Sequence, residues 1–160
     1  MDIEIRRADP DEAPAVSRLI RGLAHHFLLS PDGKGAERFM ASTSAAELYA
    51  LMASPHFHYL TAWHGPELVG VAGLRDQAHL YHLFVAPSAQ GQGVARRLWE
   101  GLLEGARAAG KGQRVTVNSS PMAVPVYERF GFQREGTEIR ADGICYTPMT
   151  WICGFSREAH

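Results

Sequence analysis

Cysteine is scarce: Cys145 and Cys153 are the only two in 160 residues. Two thiols make no disulfide framework, and in a chain without a charged-then-apolar leader they are expected to stay unbridged in a soluble, cytoplasmic protein. No apolar run approaches the about 18 residues that suggest a membrane helix, so no membrane partner is expected. An excess of charge of one sign is missing too. Sixteen basic residues stand against seventeen acidic ones, which removes any general electrostatic drive toward nucleic acid. Lysine is nearly absent, with Lys34 and Lys111 beside fourteen arginines, a bias that favours planar recognition of phosphate or carboxylate wherever an arginine enters a site. Repeats, linkers and low-complexity tracts are absent. His56 and His58 share one strand face, but no cysteine or carboxylate follows at ligand spacing, so no metal is expected.

What the chain does contain is ordinary for a globular fold. Hydrophobic residues make up 46% and charged residues 21%, enough for one well-buried core over residues 1–160, with a loose tail from about residue 154. Ile3 and Ile5 alternate with charged neighbours, as in a short half-buried strand. Asp9 offers an N-cap with Pro10 at the first helical position. Val16, Leu19, Ile20, Leu23 and Phe27 form the stripe of the helix that follows, broken at Ser30-Pro31-Asp32-Gly33. Residues 36–53 read as two short helices divided at Ser42-Thr43-Ser44, with Ser44 capping the second. Phe57 to Trp63 and Leu68 to Leu74 form a hairpin across His64-Gly65-Pro66. Leu80 to Val85 is apolar on both alternating faces, as a central strand must be. A helix opening at Val94 carries Leu98, Leu102 and Ala106 on one stripe and ends at Gly110. It precedes a strand at Val115 to Asn118. A helix bearing Tyr127 and Phe130 starts around Pro121 and Pro125 and stops at Gly131. Strands over residues 132–139 and 144–152 are joined by Ala141-Asp142-Gly143. This order of elements specifies an α/β sandwich around a mixed sheet.

The stretch that organises the rest is Gln90-Gly91-Gln92-Gly93-Val94-Ala95. A strand feeding a glycine turn that opens a helix gathers unpaired N–H groups at the positive end of the helix dipole, where a pyrophosphate can rest. Gly91 and Gly93 allow the backbone angles and the close approach such a cradle needs. Spacing alone equally admits an ordinary strand-to-helix loop. The Gly-x-x-x-x-Gly-Lys-Ser/Thr pattern is absent, and Arg96 stands where a dinucleotide fingerprint requires its third glycine.

Gln90-x-x-Gly93-x-Ala95, after the strand ending Leu83-Phe84-Val85-Ala86-Pro87, resembles the acyl-CoA loop of the GNAT superfamily of N-acetyltransferases. The stretch from Asn118 to Phe132 resembles the second half of that family's site, and the likeness extends loosely from Ile3 to Trp151. It implies the GNAT fold: a mixed central sheet of six to seven strands, flanked by helices and splayed between the fourth and fifth strands. It also implies acetyl-CoA as co-substrate, held by Leu83, Phe84, Val85, Gln90, Gly91, Gln92, Gly93, Val94, Ala95, Arg96, Asn118, Ala123 and Tyr127. The acceptor implied is a primary amine of a small molecule or a protein. His25, His26 and Phe27 are the candidates for touching it, while the residues by themselves fit better with one solvated and one packed histidine.

Acyl transfer from a thioester to an amine needs a neutral amine, a polarised carbonyl and a proton for the departing thiolate. Backbone N–H groups near Phe84 and Val85 can polarise the carbonyl if strand pairing breaks there. From the resemblance Tyr127 is the general acid. His79 and His82 are equal candidates for the base, in a part of the strand where many family members carry a carboxylate. Arg96 and Arg97 either meet a CoA phosphate or lie solvated. Two other readings stay open: a catalytically silent acyl-CoA-binding module that senses metabolic state, and a nucleotide-binding protein using the same cradle. A homodimer is the default assembly.

Overall fold

The structure, a computed structural model, describes residues 2–24, 28–30 and 33–154. Among them run the strands β1 (Glu4–Arg7), β2 (Phe57–His64), β3 (Glu67–Arg75), β4 (His79–Val85), β5 (Arg114–Ser119), β6 (Gln133–Arg134), β7 (Ile139–Ala141) and β8 (Ile144–Ile152). The helices are α1 (Ala13–Leu23), α2 (Glu37–Ser42), α3 (Ala45–Ala53), α4 (Val94–Ala108) and α5 (Val124–Phe130). The sheet order is β1-β2-β3-β4-β5-β8-β6, with β7 paired to β8. Neighbours are antiparallel except β4 and β5, which are parallel. This is the mixed sheet that the resemblance implies, with eight strands where six or seven were expected. The expected strand over residues 132–139 divides into β6 and β7, whose residues are all exposed and hold to β8 in two separate short registers.

The sheet parts where expected. β4 and β5 pair only at His79↔Thr116 and Leu80↔Val117, while β4 follows β3 along its length and β5 follows β8. The register against β3 steps from Leu74↔Leu80 to Gly73↔His82, leaving Tyr81 as an extra residue. Such a bulge bends the strand and adds twist, so β4 swings away from β5 immediately after their last shared pair.

Each face of the sheet carries its own core. On one, α4 lays Val94, Leu98, Leu102 and Ala106 against Leu60, Ala72 and Leu80, each large side chain contributing roughly 1.5–3 kcal/mol by burial. A reciprocal pair of bonds ends the helix: Gly110 N–H donates to Arg107 C=O and Lys111 N–H to Ala106 C=O, at 2.9 and 2.8 Å. On the other face, Val16 and Ile20 of α1 and Leu48 and Met52 of α3 pack over Tyr59 and Val71. Asp9 accepts from Asp11 N–H and Glu12 from Asp9 N–H, both at 2.9 Å, a capping box ahead of α1. The described part of α1 runs to Leu23, Phe27 lies outside the described residues, and Leu28 bridges Ile144 at the start of β8.

Candidate active site

The cradle forms at the N-terminus of α4. Gly91 and Gly93 sit at φ +78° and +77°, the left-handed region that costs other residues about 1–2 kcal/mol. Gly93 caps the helix with no side-chain bond, and the first intrahelical bond runs from Arg97 N–H to Gly93 C=O at 3.0 Å. The N–H groups of Val94, Ala95 and Arg96 therefore have no intrahelical acceptor. Gln90 Nε2 donates to Val85 C=O at 3.0 Å and ties the loop to β4. Gln92 donates to Ser88 C=O at 3.4 Å and stands outside the cleft wall. The two arginines separate. Arg96 lines the cleft with its guanidinium 5.0 Å from the centre of the Phe130 ring, while Arg97 turns away to Ile3 C=O at 3.1 Å.

From the cradle a cleft of about 840 Å³ runs through the parting of β4 and β5, with Leu83, Phe84, Val85, Asn118, Ala123 and Tyr127 on its walls. Ala86 N–H donates to Val69 C=O at 2.8 Å. Strand alternation then turns the backbone groups of Phe84 and His82 toward β3, and those of Leu83 and Val85 toward the edge that β5 has left. The break in pairing expected beside Phe84 and Val85 falls at Tyr81 instead. Leu83 and Val85 face the cleft with their N–H groups because β5 diverges. Val85 C=O is taken by Gln90.

Tyr127 is 5% exposed, with its ring edge-on to Phe130 and Phe132 at centroid distances of 6.2 and 5.4 Å. Burial pushes its phenol well above the ordinary range, so it stays protonated at neutral pH. His82 on β4 is buried, its Nδ1 2.9 Å from the Tyr59 hydroxyl. A buried phenol needs an acceptor. Given that bond to Nδ1, we assign the imidazole proton to Nε2, which makes this nitrogen a donor. Burial pushes the His82 pKa down to about 3. The arrangement depends on Gly73, where a Cβ would come within 2.5 Å of the Tyr59 ring. His79 is half-buried, with Nδ1 2.7 Å from Thr116 Oγ1. Its pKa is lowered first by burial and then by Arg75.

At the far end of the cleft, Leu23, Phe39 and Ser42 come from α1 and α2, Tyr81 from the bulge, and Asp142, Ile144 and Tyr146 from the β7–β8 hairpin. Ser17 Oγ donates to Thr43 C=O at 2.6 Å, and Arg21 donates to Thr43 Oγ1 and Met40 C=O at 3.1 and 2.9 Å. These bonds fasten α1 to the junction of α2 and α3 and hold that wall. His25, His26 and Phe27 lie outside the described residues. Sequence reasoning missed Tyr81, Arg129 and Asp142 in the wall. Asp142 reads as turn chemistry, although Tyr81, between the two nominated histidines, carried a usable signal. Among the described residues no cluster of three His, Cys, Asp or Glu could hold a metal, and Cys145 and Cys153 are not bridged. His56 pairs with Asp76 at 2.9 Å. No helix among the described residues is long and apolar enough to cross a membrane.

Residues 27–153 match the family model described as an acetyltransferase (GNAT) domain. N-alpha-acetyltransferase RimI of Mycobacterium tuberculosis is 35% identical over 96 residues, 56% of this chain and 60% of that protein. The chain thus spans less than two thirds of that relative. The PaiA N-acetyltransferase of Thermoplasma acidophilum, solved with coenzyme A, shares the fold at a TM-score of 0.78 and 15% identity, over 95% of this chain and 99% of that one. YncA of Salmonella typhimurium, a putative acetyltransferase solved with its cofactor acetyl-CoA, does so at 0.72 and 16%, over 98% and 96%.

Proposed function

The chain belongs to the GNAT acetyltransferase family, and from that premise we propose that it moves an acetyl group from acetyl-CoA to a primary amine by direct attack in a ternary complex. The single observation that carries this reading is the continuity of one cleft from the uncapped N-terminus of α4, through the parting of β4 and β5, to Tyr127. The coenzyme suits this donor set. The N–H groups of Val94, Ala95 and Arg96 take its pyrophosphate, with Arg96 adding charge. The outward N–H and C=O of Leu83 and the outward N–H of Val85 pair with its amide arm as a strand would.

In this reading the thioester carbonyl accepts from an outward N–H of β4, which stabilises the oxyanion as the amine attacks. The C–N bond forms, the C–S bond breaks, and Tyr127 gives its phenolic proton to the departing sulfur. His79 is the better proton acceptor for the incoming ammonium, through water. His82 serves worse because it is buried, its pKa held at about 3, whereas His79 is half-buried; a hydroxyl stands at Nδ1 of each, Tyr59 for His82 and Thr116 for His79. A phenolate left on Tyr127 in its apolar surround regains a proton from the acidified acceptor side, closing the cycle.

Thiol release from acetyl-CoA over a panel of amines, across pH, tests the proposal. Tyr127→Phe is expected to lower kcat by about 100-fold with coenzyme affinity unchanged, and His79→Gln to flatten the acid limb of the profile. Saturable coenzyme binding with no turnover on any amine would favour the silent sensing module instead.

A further inference from the structure

The pairing register draws one polar row across the strands. Arg75 on β3 stands beside His79 on β4, His79 beside Thr116 on β5, and Thr116 beside Thr150 on β8. Residues paired in this way share a face of the sheet. The next row along, Leu74, Leu80, Val117 and Met149, has the opposite facing and lies wholly in the core that α4 covers. The polar row therefore belongs to the face away from α4. Of its members only His79 lines the cleft, so Thr116 and Thr150 act on the cleft through that imidazole.

His79 Nδ1 lies 2.7 Å from Thr116 Oγ1, which leaves Nε2 as the nitrogen that can exchange a proton with the cleft. Such a contact has two forms. If the hydroxyl donates, the imidazole proton sits on Nε2 and the ring offers no lone pair there. If Nδ1–H donates, Nε2 keeps its lone pair. Thr150 favours the second form. Its Oγ1 is buried and has no hydrogen-bond partner among the described residues, a state in which buried hydroxyls are seldom left. Directly opposed threonines hydrogen-bond across a sheet, so Thr150 stands as the acceptor for the Thr116 proton. Thr116 Oγ1 then receives Nδ1–H, and it does so equally once Nε2 is protonated, because both ring nitrogens are then donors.

We infer that Thr116, backed by Thr150, is a positioning residue that holds His79 with its proton on Nδ1 and keeps the Nε2 lone pair for the incoming ammonium. This rests on the acetyltransfer reading, in which His79 takes that proton through water. The proton passes from the ammonium to Nε2 with no bond broken at Nδ1, and His79 gives it up to close the cycle. Arg75 from β3 is the charge that acts on His79, and Tyr81 of β4 is the titratable ring beside it, 6.5 Å between centroids. From β5 and β8 the row brings the neutral Thr116 and Thr150, while Asp76, between β3 and β4, is paired to His56. Burial and Arg75 both disfavour the imidazolium. The Thr116 oxygen, as an acceptor, opposes them.

Imidazole nitrogen NMR spectra of the coenzyme-free protein, stepped through pH, test this without turnover, the His79 signals being those lost in His79→Gln. The neutral ring is expected in the Nδ1–H form. Thr116→Val keeps the side-chain shape and removes the hydroxyl; it is expected to lower the protonation midpoint by about one pH unit, since the imidazolium loses its acceptor. Thr116→Ser is expected to restore it. In thiol release from acetyl-CoA with the best amine of the panel, Thr116→Val is expected to lower kcat about tenfold with KM and coenzyme Kd little changed. Its acid limb moves down with the midpoint, and added to His79→Gln it costs nothing more. A neutral ring protonated on Nε2 overturns the inference, as does a midpoint unmoved by Thr116→Val or an equal loss of kcat from that change with and without His79. A parent that releases no thiol with any amine, while tautomer and midpoint come out as expected, removes the acetyltransfer reading and leaves the positioning of His79 standing.

Discussion

Burial holds the His82 imidazole at about 3, against an ordinary value of 6.5 that it regains in the unfolded chain. Below pH 6.5 the unfolded state therefore binds a proton that the folded state refuses. Stability conferred above that pH falls as the solution is acidified, by about 1.4 kcal/mol per pH unit, until the folded pKa is reached. His82→Gln is expected to remove most of that slope between pH 6 and pH 4, read as urea midpoints at stepped pH. An equally steep decline in the variant would sink the assignment. The sequence nominates His79 and His82 as equals, since both are imidazoles on one apolar strand. What separates them is burial: His82 lies under Tyr59, a residue 23 positions earlier, while His79 is half-buried beside Thr116. Arg96 and Arg97 divide for the same kind of reason, one facing Phe130 and the other Ile3, just ahead of β1.

At the scale of elements, two glycines make opposite predictions. A Cβ on Gly93 meets nothing within 4 Å, so Gly93→Ala costs only backbone strain at φ +77°, about 1–2 kcal/mol. Relief of that strain turns the first N–H groups of α4 away from one another. The expected outcome is a coenzyme Kd raised about tenfold with a small loss in Tm. Gly73→Ala drives a Cβ into the Tyr59 ring instead and is expected to cost about 1–3 kcal/mol of stability. Calorimetry of both variants with and without coenzyme separates the two effects, and equal Kd values for Gly93→Ala and the parent would refute the cradle. The elements themselves were legible where local chemistry sets them. The N-cap at Asp9, the Ser44 cap and the glycine stop after α4 all stand as read. The strand over 132–139 divides because its two parts answer to separate stretches of β8, which no local pattern announces.

The whole molecule is two half-sheets, β1 to β4 and β5 to β8, joined in the sheet by two residue pairs. A ligand lying in the parting touches both halves and binds only when they stand in native relation. At a hundred times its Kd, coenzyme A is expected to add about 2.7 kcal/mol and to raise Tm by roughly 5–10 °C in a chain of this size, with ATP leaving it unchanged. A rise with ATP and none with coenzyme A would restore the nucleotide reading. The sequence by itself determined the α/β class, the strand-to-helix cradle at Gln90 to Ala95 and the family resemblance, because caps, turn glycines and apolar periodicity act within a few residues of one another. Only the tertiary structure decided that β4 leaves β5 after Leu80, that Tyr59 occupies Nδ1 of His82, and that Asp142 joins Phe39 and Tyr81 around one cavity. Those relations join residues tens of positions apart, and they come into being only when two twisted half-sheets pack against their helices.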